Sequence, residues 1–188
     1  MKLVYDKSYW DNYYDGTYED TFQYGFPLDR ILSTCWDKVF KERPSSFADI
    51  GSGPGHTLIV AERLMPNAEI YGVEAQALPD IVHKGVVIAD FLEVSKTLKP
   101  VDFLYVACSM YIDWGRQEYF ISEVLRLTKK AVCFANVYLT DGEGIPEDSL
   151  RKVIYKDRES FAQAIPWKRI SGKYDFFCKD ENVMFDRL

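Results

Sequence analysis

The chain has 188 residues, enough for one domain with a substantial core and little to spare for a second. Of these, 47% are hydrophobic and 15% aromatic, which excludes a disordered chain, and no apolar run reaches the roughly 18 residues of a membrane span. A formal net charge of −6 argues against a nucleic-acid surface, which normally shows a basic patch.

The start, "MKLVYDKSYWDNYY", has no continuous apolar segment of the secretory kind, so a cytosolic (cytoplasmic) setting is expected. The first 25 residues are rich in Tyr, Asp and Trp without a clear period. "PLDRILSTCWDKVF" then places Leu28, Ile31, Leu32, Cys35, Trp36, Val39 and Phe40 on one helical face, with Pro27 in the first turn. "KERPSS" reads as a short linker.

From Phe47 the pattern alternates between strand and helix. The strand "FADI" leads through glycines to the helix "HTLIVAERLM", which Pro66 stops. Next come the strand "EIYGVE", a short helix near "ALPDIV", the strand "GVVIAD" and a helical piece "LEVSKTL" that ends at Pro100. "VDFLYVAC" is almost continuously apolar, as expected of a strand covered on both faces. The helix "RQEYFISEVLRL" repeats apolar residues at Phe120, Ile121, Val124 and Leu125. The basic "RLTKK" places favourable charges at its C-terminal end. A fifth strand, "AVCFANVYL", precedes the helix "PEDSLRKVIYKDRESFAQAI", and the tail "KYDFFCKDENVMFDRL" reads as two strands joined by the turn "KDEN". Strand–helix units followed by a hairpin predict an α/β, doubly wound sheet with an antiparallel edge.

Cys35, Cys108, Cys133 and Cys178 lie far apart, with no C-x-x-C spacing and no paired histidine, so they predict buried small hydrophobes and no metal site.

The stretch "FADIGSGPGHT" carries the chemistry. Gly51, Gly53 and Gly55 follow the first strand and open the first helix, where backbone must turn tightly and approach a ligand without Cβ atoms in the way. Glu74 ends the second strand, where a carboxylate faces the ribose of a nucleoside lying across the first two strands and can accept from both hydroxyls. Asp49, just before the glycines, would repel a pyrophosphate but favours a ligand bearing an ammonium or sulfonium. A dinucleotide fingerprint would also need glycine where His56 stands, so NAD is the weaker ligand.

"DIGSGPG" followed by "YGVE" resembles the first two motifs of class I S-adenosylmethionine-dependent methyltransferases. The resemblance runs from about Phe47 to Leu188, roughly three quarters of the chain, and implies a Rossmann-like seven-stranded sheet of order 3-2-1-4-5-7-6, its last strand antiparallel. It implies S-adenosyl-L-methionine as cofactor. Gly51, Ser52 and Gly53, within the motif that Gly55 closes, would pass beneath the methionine portion, with Asp49 toward its ammonium and Glu74 on the ribose. Asp90 matches an acid that accepts from the adenine amino group, although an Asp before "FLEVS" serves equally as a helix N-cap, and Phe91 would flank the ring. Cys108, Ser109 and Met110 would neighbour the methionine moiety, and Tyr111 and Trp114 are acceptor-site walls or core aromatics.

In small enzymes of this family the residues before the first strand commonly fold over the cofactor. The resemblance therefore divides one domain into an N-terminal lid and helix, residues 1–45, and a cofactor-binding core, residues 46–188. Tyr9, Trp10, Tyr13 and Tyr14, with Tyr5 and Tyr18, are the lid's aromatic faces, and padding of the sheet or a dimer contact is the plainer alternative. Gly142 and Gly144 lie in a loop that would supply another wall. His56 would donate to the cofactor carboxylate, His83 sits in a surface-like turn, and no general base is assigned.

The function expected is methyl transfer to oxygen or nitrogen of a small molecule by a monomer or homodimer, with neither nucleic acid nor membrane as partner. The fourth strand's end lacks the [DNS]-P-P-[YFW] segment of nucleic-acid amino-methylating enzymes. The alternatives are a non-catalytic cofactor-binding regulatory or interaction protein of the same fold, a protein methyltransferase, and an NAD-dependent oxidoreductase.

Overall fold

A computed structural model describes residues 43–75, 77–78, 80–107, 116–135, 158–171 and 175–179. They form a seven-stranded sheet of order β3-β2-β1-β4-β5-β7-β6. The strands are β1 (Ser46–Ile50), β2 (Glu69–Glu74), β3 (Val86–Ile88), β4 (Val101–Ala107), β5 (Thr128–Ala135), β6 (Lys168–Ser171) and β7 (Asp175–Cys178). The first five are parallel, while β7 runs antiparallel to both β5 and β6. The helices are α1 (His56–Leu64), α2 (Phe91–Val94) with a 3-10 turn Ser95–Thr97 behind it, α3 (Gln117–Leu127) and α4 (Arg158–Ala164).

Period-two alternation sorts the strands' side chains onto two cores, one per sheet face. Ala48, Ile50, Leu104, Val106, Val132, Phe134 and Phe177 face one way, against Phe120, Ile121, Val124 and Leu127 of α3 and Phe161 of α4. Phe47, Phe103, Tyr105, Ala131, Cys133 and Phe176 face the other way, against Leu58 and Ala61 of α1. Each large apolar side chain buried this way contributes about 1.5–3 kcal/mol relative to exposure, so both faces hold the sheet rigid beneath its upper edge. By the same alternation Asp49 points to the α1 side, under that helix's N-terminus.

The sheet order and the antiparallel edge agree with expectation, and β2 coincides with "EIYGVE". Two expectations need correction. Residues 77–78 and 80–82 contain no helix. This short segment is tied across to the glycine loop by Val82 N–H donating to the Pro54 carbonyl at 2.9 Å. α3 ends at Leu127, so only Arg126 of "RLTKK" serves its last turn. The Thr128 hydroxyl donates to the Val124 carbonyl at 2.8 Å, the backbone of Thr128 joins β4 as the start of β5, and Lys130 ion-pairs with Asp102 at 3.1 Å. "DFFC" is a strand as expected, while all but the first residue of the turn "KDEN" and the arm beyond it lie outside the described residues; "KRIS", not expected as a strand, pairs with "DFFC". Aromatic Phe176 and Phe177, fully buried one on each face, require a central position next to β5 and leave the more polar "KRIS" for the edge.

Cys133 and Cys178 are buried, as small hydrophobes are. No helix among the described residues is long and apolar enough to cross a membrane, and no cluster of metal-ligating side chains occurs among them.

Candidate cofactor-binding site

The glycine loop sits where β1 ends, between the upper ends of β2 and β4. Gly51, Gly53 and Gly55 adopt φ of 80°, 54° and 102°, a left-handed region that side chains seldom tolerate. The corner is pinned to β2: both Gly51 N–H and Ser52 N–H donate to the Val73 carbonyl, at 2.8 and 3.2 Å. Ser52 is buried against Gly72, where an added Cβ would lie 2.5 Å from the serine hydroxyl. A glycine inside a strand is the sequence signal of such close approach. At Gly53, itself buried, no described atom lies within 4 Å of where a Cβ would stand, so there is unfilled space beside the backbone there.

Two acids stand below and beside this opening. Asp49 is 1% exposed and its Oδ1 has no hydrogen-bond partner among the described residues. Burial pushes its carboxyl up to about 8; a hydrogen bond from Thr57 opposes the shift and the Glu74 charge adds to it. Glu74 is also buried, and its Oε2 accepts from Gly53 N–H at 2.8 Å, so the end of β2 grips the middle of the loop. A buried acceptor without a donor costs about 1–3 kcal/mol, which a fold retains where a ligand completes it. An ammonium group fits Asp49 on those grounds, and the unfilled space beside Gly53 fits the chain that would carry it.

Asp90 closes β3 as the N-cap of α2, its Oδ1 accepting from Leu92 N–H at 2.8 Å. Arg116, at the foot of α3, reaches its Oδ2 at 3.3 Å. Phe91 is 4% exposed and packs edge-on against Phe120, centroids 5.2 Å apart, which makes its ring part of the core. Burial lowers the basicity of His56, on the first turn of α1, so its ring is neutral at pH 7.

His83 departs from its expected surface-like turn: it is 8% exposed, and its Cβ lies 2.8 Å from where a Cβ on Gly55 would stand. Neither that role nor Arg116 was visible in the sequence, because both depend on segments that meet only in the fold. Cys108, Ser109, Met110, Tyr111 and Trp114, the N-terminal Tyr9, Trp10, Tyr13 and Tyr14, and Gly142 and Gly144 lie outside the described residues.

No protein-family model matches the chain, and no curated protein sequence does. Solved structures do. The plantazolicin methyltransferase BpumL in complex with SAH, S-adenosylhomocysteine, aligns with TM-score 0.56 at 16% identity, over 69% of this chain and 53% of its own. The same enzyme with a monoazolic desmethylPZN analogue and SAH gives 0.57 at 17% identity, with the same coverage. The fold is theirs. This chain spans about half the length of that enzyme, and at such identity the likeness is one of fold. A SAM-dependent methyltransferase from Archaeoglobus fulgidus aligns over 64% of this chain and 56% of its own at 21% identity, with TM-score 0.49.

Proposed function

We propose that this protein binds S-adenosylmethionine at the glycine loop and transfers its methyl group to oxygen or nitrogen of a small-molecule acceptor. The observation that carries the reading is the buried, partnerless Oδ1 of Asp49 beneath a loop with unfilled space beside Gly53. An ammonium is the donor that such an atom lacks. A pyrophosphate is the ligand that the buried Glu74 carboxylate would repel, which counts against NAD.

When bound, the cofactor supplies a methyl group on a cationic sulfur, open to in-line displacement. The chain's own part is to orient and desolvate. Asp49 takes the ammonium and gives up its proton. Gly51, Ser52 and Gly53 pass beneath the methionine portion, and Gly55 starts the helix. Glu74 turns its carboxylate to the ribose hydroxyls. Asp90 Oδ2 accepts from Arg116 and has a second lone-pair site, so the carboxylate accepts from the adenine amino group while Oδ1 keeps Leu92 N–H. Cys108 and Ser109 neighbour the methionine moiety, and Met110, Tyr111 and Trp114 wall the acceptor site. Tyr9, Trp10, Tyr13 and Tyr14 belong to a lid over it in residues 1–45, with 46–188 as the core. The protein acts in the cytoplasm as a monomer or homodimer and takes neither nucleic acid nor membrane as partner.

Calorimetric titration with S-adenosylhomocysteine and with NAD tests the cofactor, and a panel of acceptors with methyl-labelled S-adenosylmethionine tests the transfer. Binding of the adenosyl ligand with label moving to a small molecule is the expected result. Binding without transfer to any acceptor favours a regulatory protein of the same fold. NAD binding in its place ends the reading.

A further inference from the structure

We infer that Arg116 is a positioning residue for the base end of the cofactor site, aiming the Asp90 carboxylate so that the site prefers a base with an amino group over one with a carbonyl there; this rests on the S-adenosyl reading above. Two helix starts meet at this corner, α2 after β3 and α3 after β4. They touch in two layers. In the lower one the rings of Phe91 and Phe120 pack edge-on, centroids 5.2 Å apart. Phe120 N–H donates to the Arg116 carbonyl at 2.8 Å, so Arg116 stands one turn before Phe120 on the same face of α3, nearer the upper edge of the sheet. The upper layer is the ion pair of Arg116 with Asp90. Ala89 N–H donates to the Glu74 carbonyl at 2.8 Å, so Asp90 leaves the sheet beside the acid assigned to the ribose.

Rotation of a carboxylate about its Cβ–Cγ bond is soft, and one hydrogen bond does not fix it. Leu92 N–H holds Oδ1 at 2.8 Å, which is all that the cap of α2 requires. Arg116 adds a second hold: its Nη2 lies 3.5 Å from Oδ1 and 3.3 Å from Oδ2, astride the two oxygens. The two side chains are 27% and 18% exposed, and solvent screening leaves such a pair little to add to stability. What it supplies is aim. A carboxylate only accepts, so a base amino group can donate to it, while a base carbonyl sets acceptor against acceptor. With the Phe91 ring turned into the core, selectivity for the base falls on this carboxylate.

S-adenosylhomocysteine and S-inosylhomocysteine differ at that group, an amino in one and a carbonyl in the other. Titration calorimetry of both, on variants whose melting curves show them folded, tests the inference. The parent should prefer the adenosyl ligand about a hundredfold. Arg116→Ala should weaken the adenosyl ligand about tenfold and the inosyl ligand by no more than about threefold, narrowing the preference. Arg116→Lys returns one cationic nitrogen to a carboxylate that faces one guanidinium nitrogen, and should restore part of the preference. In an Asp90→Asn background, which keeps an oxygen for the Leu92 amide but has no carboxylate, replacing Arg116 should narrow the preference no further. A general loss of stability cancels in the ratio of the two ligands within one variant. An unchanged preference in Arg116→Ala overturns the inference, as does an equal loss for both ligands, a lysine variant no better than alanine, or an Arg116 effect that persists without the carboxylate. A parent that binds both ligands equally overturns it too, and leaves the cofactor assignment standing. A parent that binds neither fails the cofactor reading itself, and this inference falls with it.

Discussion

Two buried aspartates on neighbouring strands, Asp49 near the top of β1 and Asp102 near the foot of β4, meet opposite fates. Burial alone would raise the Asp102 carboxyl, but the Ser45 amide and hydroxyl and the Lys130 ammonium outweigh it and hold the carboxyl below its usual range. Its Oδ2 accepts from Ser45 N–H and from the Ser45 hydroxyl at 2.9 Å, and from Lys130 at 3.1 Å. Asp49 is at least as deeply buried, has one oxygen without a donor, and is pushed up to about 8. One end of the sheet is finished by the chain itself; the other is left for something else to finish. A satisfied buried acid holds a fold together, and an unsatisfied one points to a ligand.

The largest contrast should come from exchanging each acid for its amide. Asp49→Asn is expected to weaken S-adenosylhomocysteine binding a hundredfold or more, about 3 kcal/mol for losing one partner of a buried charge pair. The same change should stabilise the ligand-free protein at pH 7 by about 2 kcal/mol, because the native state no longer has to take up a proton to keep a buried acid neutral. Asp102→Asn should do the reverse, lowering stability by about 2–3 kcal/mol and sparing affinity. Titration calorimetry and urea unfolding on both variants read the two effects, and equal behaviour of the pair would erase the distinction between the two ends.

Next in size is Glu74→Gln. It removes the carboxylate that holds Gly53 N–H, and should raise Kd about tenfold or more. Unchanged affinity would remove Glu74 from the site.

The pH dependence sharpens the same comparison. The folded-state carboxyl of Asp49 lies above its unfolded value, so the ligand-free native state holds a proton that the unfolded chain has lost. The corresponding stability is complete below about pH 4 and is lost as pH rises toward about 8. Binding an ammonium must expel that proton. Affinity for S-adenosylhomocysteine should therefore improve by up to about tenfold per unit between pH 6 and 7.5 and level off near 8, with proton release measurable in buffers of different ionisation enthalpy. Asp102 has its folded value lowered, so its contribution is present above the ordinary carboxylate range and disappears only in acid. A pH-independent Kd would show that Asp49 does not meet the cation.

The smallest effects separate two glycines. Gly55→Ala should cost the fold about 1–3 kcal/mol, because φ is 102° and the new methyl meets His83 and Val86 at 2.8 Å. Gly53→Ala, at φ of 54° and with open space above, should cost about 1 kcal/mol of stability while putting a methyl where the ligand must pass. Thermal melts with and without ligand distinguish them. The Gly53 variant should lose ligand-induced stabilisation, and the Gly55 variant mainly its own melting temperature.

Much of this arrangement was legible in the residues because it is local. The run "EIYGVE" could be placed as a strand from its composition and bounds alone, and "GSGPG" as a bend, since a glycine's tolerance of positive φ needs no tertiary partner. Asp90 was legible only as a pair of possibilities; its side chain caps α2, as the local rule allows, and also meets Arg116, which no local rule predicts. The strand not expected before "DFFC" has a similar origin. "KRIS" has no alternation that marks a strand, and it becomes one because "DFFC" lies beside β5 and offers it an edge. The expected helix near "ALPDIV" gave way because a backbone bond to Pro54 was available there.

By itself the sequence determined the alternation of strand and helix, the glycine corner and the two acids beside it, because those follow from side-chain period and backbone sterics within a few residues. The tertiary structure alone decided that Asp49 is dry with one oxygen lacking a donor, that Glu74 grips Gly53, and that His83 lies against Gly55. Desolvation and contact are properties of what surrounds a residue. In this fold the surroundings are brought together by segments tens of residues apart.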